Sequence, residues 1–181
     1  MKVLISTSLR PTPRIRTFCK DLASTSSIFQ YITRGKMNLP TLFSQALTLN
    51  ANKIWLINSR HGNPGIIFFH VYEKSEFKNI GSIIIKGVSL KRELKNIAPK
   101  SKKNQYILIS PPEYEELYEL YLLIKNALPE YFNKNESFTE LRIIKNKFVT
   151  LNFIDSKTNL LCGPKIILSG YSIEKEVVYF E

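Results

Sequence analysis

Residues 6–36 read STSLRPTPRIRTFCKDLASTSSIFQYITRGK, with Arg10, Arg14, Arg16, Lys20, Arg34 and Lys36 set against one acid, Asp21. Thr12 followed by Pro13 is a helix start: a hydroxyl cap, then a proline where the missing N–H costs nothing. Ile15, Phe18, Cys19 and Leu22 then recur at the i, i+3, i+4, i+7 spacing of a core-facing stripe. At ~100° per residue, Arg16 and Lys20 fall on one flank of that stripe and Arg14 on the other. Cations at a helix start oppose the macrodipole by ~0.3–1 kcal/mol each. An anion lying across the helix start removes that conflict, since free N–H groups and guanidinium forks both bind one. A solvated basic face on an ordinary helix is the other reading, and Asp21 then pairs with Arg14 or with a neighbouring loop.

The surrounding chain has 181 residues, 44% of them hydrophobic, which is enough for a buried core. Its net charge of +11 is uneven. Residues 1–72 hold nine Lys or Arg and one acid, whereas residues 73–181 hold seventeen and fourteen. A positive field concentrated in one part points to a polyanion, nucleic acid before an anionic membrane. No apolar run approaches ~18 residues, and the MKVLISTSLR start is too short in its apolar part for a signal peptide. The two cysteines, Cys19 and Cys162, lie far apart and fit a reducing compartment, with Cys19 on the apolar stripe as packing.

In chain order the pattern predicts a strand at 3–6, the basic helix, a strand at 29–33 and a turn at 34–36. A second helix, capped by Asn38, buries Leu39, Leu42, Phe43, Ala46 and Leu47. Strands follow at 53–58, 66–72 and 80–90, the first two joined by the turn-rich loop RHGNPG at 60–65. Residues 91–103, KRELKNIAPKSKK, form a polar basic connector, either a solvated link or an extension of the charged surface. A strand at 105–110 leads to a long helix at 111–128 with the stripe Tyr114, Leu117, Tyr121, Ile124 and Leu128. Strands at 139–144, 148–155, 160–169 and 177–180 complete the chain.

A duplication lies under this order. Residues 85–90, IKGVSL, match residues 168–173, LSGYSI, at an offset of 83, which also lays 66–72 on 149–155. Ile5-Ser6 matches Ile109-Ser110 at an offset of 104. The difference, 21, is about the length of the strand–helix piece at 29–50, so the second half reads as the first with that unit missing. The expected fold is α/β: a half at 1–90, a connector at 91–103 and a half at 104–181, packed as one body.

Catalytic signals are weak. His61 sits in a Gly/Pro turn and His70 in a strand, with no acid or nucleophile nearby in sequence. There is no GxGxxG or Walker pattern and no zinc-type Cys/His spacing. The chain reads as a non-enzyme.

Residues 8–22, SLRPTPRIRTFCKDL, followed by TRGK at 33–36, resemble the signature of the Brix-domain family of ribosome-biogenesis proteins, compact archaeal type. The resemblance runs over essentially the whole chain, as a single Brix domain at 1–181. It implies two tandem duplicated halves, each like the anticodon-binding domain of class II aminoacyl-tRNA synthetases. It also implies a cytoplasmic, non-catalytic factor that binds ribosomal RNA or its precursor during subunit assembly and processing. Carried over by position, the RNA-binding set is Arg10, Arg14, Arg16, Lys20, Arg34 and Lys36; Arg60, in a loop shorter than that of the eukaryotic relatives, is a further RNA-binding candidate. Ribosomal or assembly proteins are further partners; no cofactor, metal, membrane or small-molecule substrate is implied. Tyr31 and Phe29 are stacking candidates for unpaired bases, against the commoner role of strand aromatics as core. Two other readings stand beside this one: a module docking an acidic assembly protein, and a tRNA-binding module.

Overall fold

In the computed structural model, which describes residues 1–99, 104–130, 137–174 and 176–180, the first strand β1 (Lys2–Thr7) is buried on both faces. Strand side chains alternate between faces. Val3 and Ile5 therefore enter the main core and Leu4 a second, smaller one. The same alternation divides β3 (Ala51–Arg60): Trp55 and Ile57 face the main core, Ile54 and Leu56 the second. This is why these segments read as continuous apolar runs.

The remaining strands are β2 (Phe29–Tyr31), β4 (Asn63–Glu73), β5 (Glu76–Ser89), β6 (Tyr106–Ile109), β7 (Phe138–Lys145), β8 (Val149–Asp155), β9 (Lys165–Ile173) and β10 (Glu176–Tyr179). They form one sheet in the order β2-β1-β3-β4-β5-β9-β8-β7-β6, with β10 beside β9. β1 runs parallel to β2 and β3, and β6 parallel to β7; the other pairs are antiparallel. The fold is mixed α/β. An isolated bridge between Ser26 and Asn104 joins the segment before β2 to the segment before β6, so the sheet curls until its ends meet. Helices α1 (Pro13–Ala23) and α3 (Tyr118–Asn126) pack into the main core, and α2 (Leu39–Thr48) covers the second.

The ends of α1 and α3 are tied to distant parts of the chain. The Trp55 indole N–H donates to the Ala127 carbonyl just past α3 (3.0 Å), and the Thr139 hydroxyl donates to the Thr25 carbonyl just past α1 (2.7 Å). Glycines permit the approach. A Cβ on Gly163 would stand 2.5 Å from the Thr25 methyl, and one on Gly81 would stand 2.8 Å from Leu123.

Several boundaries differ from the sequence reading. The long helix expected at 111–128 is a 3-10 turn (Glu115–Leu117) followed by the nine-residue α3. Pro111 and Pro112 cannot donate hydrogen bonds, and Tyr114 is extended (φ −107°, ψ 127°), so helix cannot begin earlier. Tyr114 is accordingly exposed, while Leu117, Tyr121, Ile124 and Leu128 are buried. In α2 only Leu42 and Ala46 of the expected face are buried, Leu39 and Leu47 lying at its exposed margins. The strand expected at 160–169 begins at Lys165, because tightly packed Gly163 and donor-less Pro164 precede it. The loop at 60–65 is a two-residue turn, His61 (φ 49°) and Gly62 (φ 78°), matching the twist of the strands it joins. Residues 91–99 are no free link: Lys91–Glu93 is a 3-10 turn, and Ala98 N–H donates to the Leu161 carbonyl (2.8 Å). The rest of the connector, 100–103, lies outside the described residues.

A buried polar cluster fastens the far end of the sheet. The Asn104 amide donates to the Phe138 carbonyl, the Thr139 hydroxyl and Asp155 Oδ1 (3.0, 2.9 and 2.9 Å). Asp155 Oδ2 accepts from the Thr158 N–H and hydroxyl (3.0 and 2.8 Å). Burial opposes ionisation of Asp155, but the bonds from Asn104 and Thr158 outweigh it and hold the carboxyl below its usual range. A depressed carboxyl stabilises the fold above its unfolded value and stops doing so as pH falls through the folded one. Asp155→Ala is expected to cost about 1–3 kcal/mol at neutral pH by leaving buried donors unpaired. Below about pH 4, the ordinary carboxyl range, the gap from wild type should narrow, which denaturant melts at two pH values will read.

Candidate nucleic-acid interface

Thr12 organises the candidate site. Its hydroxyl oxygen accepts from the Ile15 N–H (3.4 Å) as the α1 cap and donates to the Gly62 carbonyl (2.7 Å). One side chain thus docks the helix start onto the β3–β4 turn, bringing Arg14 and Arg60 to one cleft although they lie 46 positions apart. The cleft has a volume of about 550 Å³, and Arg14, Arg60, His61 and Lys86 line it without a carboxylate.

Lys86 was absent from the sequence-derived set. It sits on β5 where the β5–β9 register slips between Ile85 and Gly87, and Ser169, at the matching slip on β9, lines the same cleft. Bulges of this kind re-aim side chains. Lys86 Nζ stands 4.1 Å from the centre of the Phe148 ring. A lone lysine after three isoleucines carries no helical or strand signal of function, so the signal that could have found it was the glycine after it.

The expected cations divide over both flanks of α1. Arg14 turns toward β5: its guanidinium forms two bonds with Glu93 (2.5 and 3.0 Å) and one with the Val88 carbonyl (3.1 Å). The pair raises the Arg14 pKa, and Arg14, with the Leu90 N–H, holds Glu93 below the usual carboxylate range. Asp21 accepts instead from the Lys91 N–H (2.9 Å), so of its two expected partners the neighbouring loop holds it. Arg16 and Lys20 are exposed on the other flank, where the charge of Arg16 reaches Tyr31. Arg16 also donates to the Pro11 carbonyl (2.7 Å). Arg10 is exposed ahead of the cap in a left-handed conformation (φ 55°), and Lys36 is exposed in its turn.

Three residues expected at the interface make contacts inside the protein. Arg34 is only 7% exposed: it donates to the Met37 carbonyl (2.9 Å) and the Thr7 carbonyl (3.3 Å), and burial lowers its pKa. It closes the loop after β2. Phe29 is a core residue in edge contact with Trp55 (4.9 Å), and Tyr31 packs against the same core, so neither is a free stacking surface.

No family model matches the chain. A probable Brix domain-containing ribosomal biogenesis protein of Aeropyrum pernix is 39% identical over 108 residues, 59% of this chain and 60% of that protein. The protein of that name in Thermococcus kodakarensis is 32% identical over 108 residues, 59% of this chain and 52% of that protein. The crystal structure of a probable ribosomal biogenesis protein from Aeropyrum pernix K1 superposes with a TM-score of 0.79 at 29% identity, covering 98% of both chains. The chain is similar in sequence to archaeal Brix-domain proteins over about three fifths of its length. An archaeal Imp4-like protein shares the fold, with a TM-score of 0.64 at 22% identity over 94% of this chain and 99% of that one. The chain spans a little over half the length of the two curated Brix-domain relatives it matches here. Among the described residues no helix is long and apolar enough to cross a membrane.

Arg34→Ala removes bonds to two inward-facing carbonyls and is expected to cost about 1–3 kcal/mol. Lys36→Ala, two residues on but exposed, should stay within about 0.5 kcal/mol of wild type. Chemical denaturation of the two variants side by side checks the assignment.

Proposed function

We propose that this chain is a non-catalytic factor of ribosome biogenesis that binds ribosomal RNA or its precursor through phosphates, in the cytoplasm. The observation that carries the proposal is the cleft where the α1 start, the β3–β4 turn and β5 bring Arg14, Arg60, His61 and Lys86 together with no carboxylate in its lining. The sugar-phosphate chain crosses the helix start from this cleft to the flank bearing Arg16 and Lys20, with Arg10 and Lys36 beside the path. Arg14 contributes less than its neighbours, because Glu93 already takes both prongs of its fork. Arg34 drops out of the set, and Lys86 enters it. The names of the Aeropyrum and Thermococcus relatives support the assembly role.

The single domain at 1–181 is further proposed to be a tandem duplication, with a half at 1–90, a half at 104–181 and the connector between. The sheet order supports it: β1-β3-β4-β5 faces its reverse, β6-β7-β8-β9, across the β5–β9 seam. At the offset of 83, residues 66–72 of β4 correspond to β8, and the slip at Lys86 corresponds to that at Ser169. Among the described residues of the second half, β2 and α2 have no counterpart. A likeness of each half to the anticodon-binding domain of class II aminoacyl-tRNA synthetases belongs to the same proposal.

With six exposed cations engaged (Arg10, Arg16, Lys20, Lys36, Arg60 and Lys86), log K against log salt should fall with a slope of about −4 to −5. Arg60→Ala should weaken binding to most RNAs alike and flatten the slope by about 1. A slope near zero removes the phosphate account. Crosslinking in cells should recover precursor ribosomal RNA; recovery of tRNA, or of protein alone, overturns the assignment.

A further inference from the structure

Phe148 stands apart from the other phenylalanines. Phe18, Phe29, Phe69 and Phe153 are in the main core and Phe138 and Phe180 pack against it, while Phe43, Phe68 and Phe77 pack against the second core. Among the described residues, Phe148 alone of its kind joins neither. It stands half-buried at the β7–β8 turn and lines a shallow cleft of about 290 Å³. Lysines surround its ring: Lys86 Nζ at 4.1 Å and Lys147 Nζ at 5.7 Å from the ring centre. Lys86 is exposed and also lines the cleft of Arg14 and Arg60, so a continuous cationic path leads from the helix start to this ring.

Resting on the RNA reading above, we infer that the RNA held here is single-stranded, with an unpaired base stacked on Phe148 and its phosphate on Lys86. The chemistry favours this class over a duplex. Paired bases keep their faces inside the helix, so a duplex offers phosphates to Lys86 and nothing to the ring. An unpaired base has a free π-face, and a ring flanked by ammonium groups accepts the base while the charges take the backbone. A stacked base also accounts for an aromatic residue left half-buried and outside both cores.

The experiment uses the full chain with two probes at one salt concentration: oligouridine of about 12 nucleotides and an RNA duplex of equal length. Fluorescence anisotropy should show that Phe148→Leu, which keeps apolar bulk and loses the π-face, weakens oligouridine binding about tenfold. Duplex affinity and the salt slope should stay at their wild-type values. Phe148→Tyr should restore oligouridine binding, and Lys86→Ala should flatten the slope by about 1. Thermal melts confirm that the variants are folded. Folded Phe148→Leu binding oligouridine as tightly as wild type overturns the stacking and leaves the phosphate reading standing. Equal losses on both probes overturn it as well, because they mark a merely structural ring. A wild-type chain that binds neither probe overturns the RNA reading itself.

Discussion

Everything in this molecule depends on the pairing of β5 with β9. Those strands meet in the middle of the sheet, and every other strand is added outward from them. Each side of that seam helps to hold a helix of the other. The end of α3 is held by Trp55 from the first side, and the segment after α1 is held by Thr139 from the second. The bridge between Ser26 and Asn104 closes the curl and makes the arrangement reciprocal.

The candidate interface follows from that architecture. Thr12 can cap α1 and hold the Gly62 carbonyl only because α1 lies against β3 and β4. The docking sets the arginine after the first strand beside the turn of a later hairpin, and the β5 slip adds Lys86. Arginine serves two purposes here. Its fork can clasp a phosphate, or it can satisfy carbonyls and carboxylates of the protein itself. Arg34 does the second from a buried position, and Arg14 divides itself between Glu93, the Val88 carbonyl and the cleft. The likeness to archaeal Brix-domain proteins is consistent with either use, since a relative's name does not say which fork faces outward.

Much was legible before any coordinate. The Thr12–Pro13 helix start, the stripe Ile15, Phe18, Cys19 and Leu22, and the placement of Arg16 and Lys20 opposite Arg14 all follow from local rules and all appear in the structure. The Asn38 cap was equally local. Family resemblance was carried by contiguous residues, so it too could be read from the chain alone. The excess of cations in the first 72 residues is a property of composition, and it is what directed attention to a polyanion.

Tertiary structure decided which of those charges are free. Burial of Arg34, the Arg14–Glu93 pair and the isolation of Phe148 from both cores each involve residues or surfaces brought together from distant parts of the chain. Helix boundaries at 111–117 likewise yielded to prolines and to an extended Tyr114 that periodicity does not see. Sequence periodicity reports the side of an element on which a residue lies; only packing reports what stands opposite it. A charge is a ligand site or a structural strut according to that neighbour, and the neighbour is chosen by the fold.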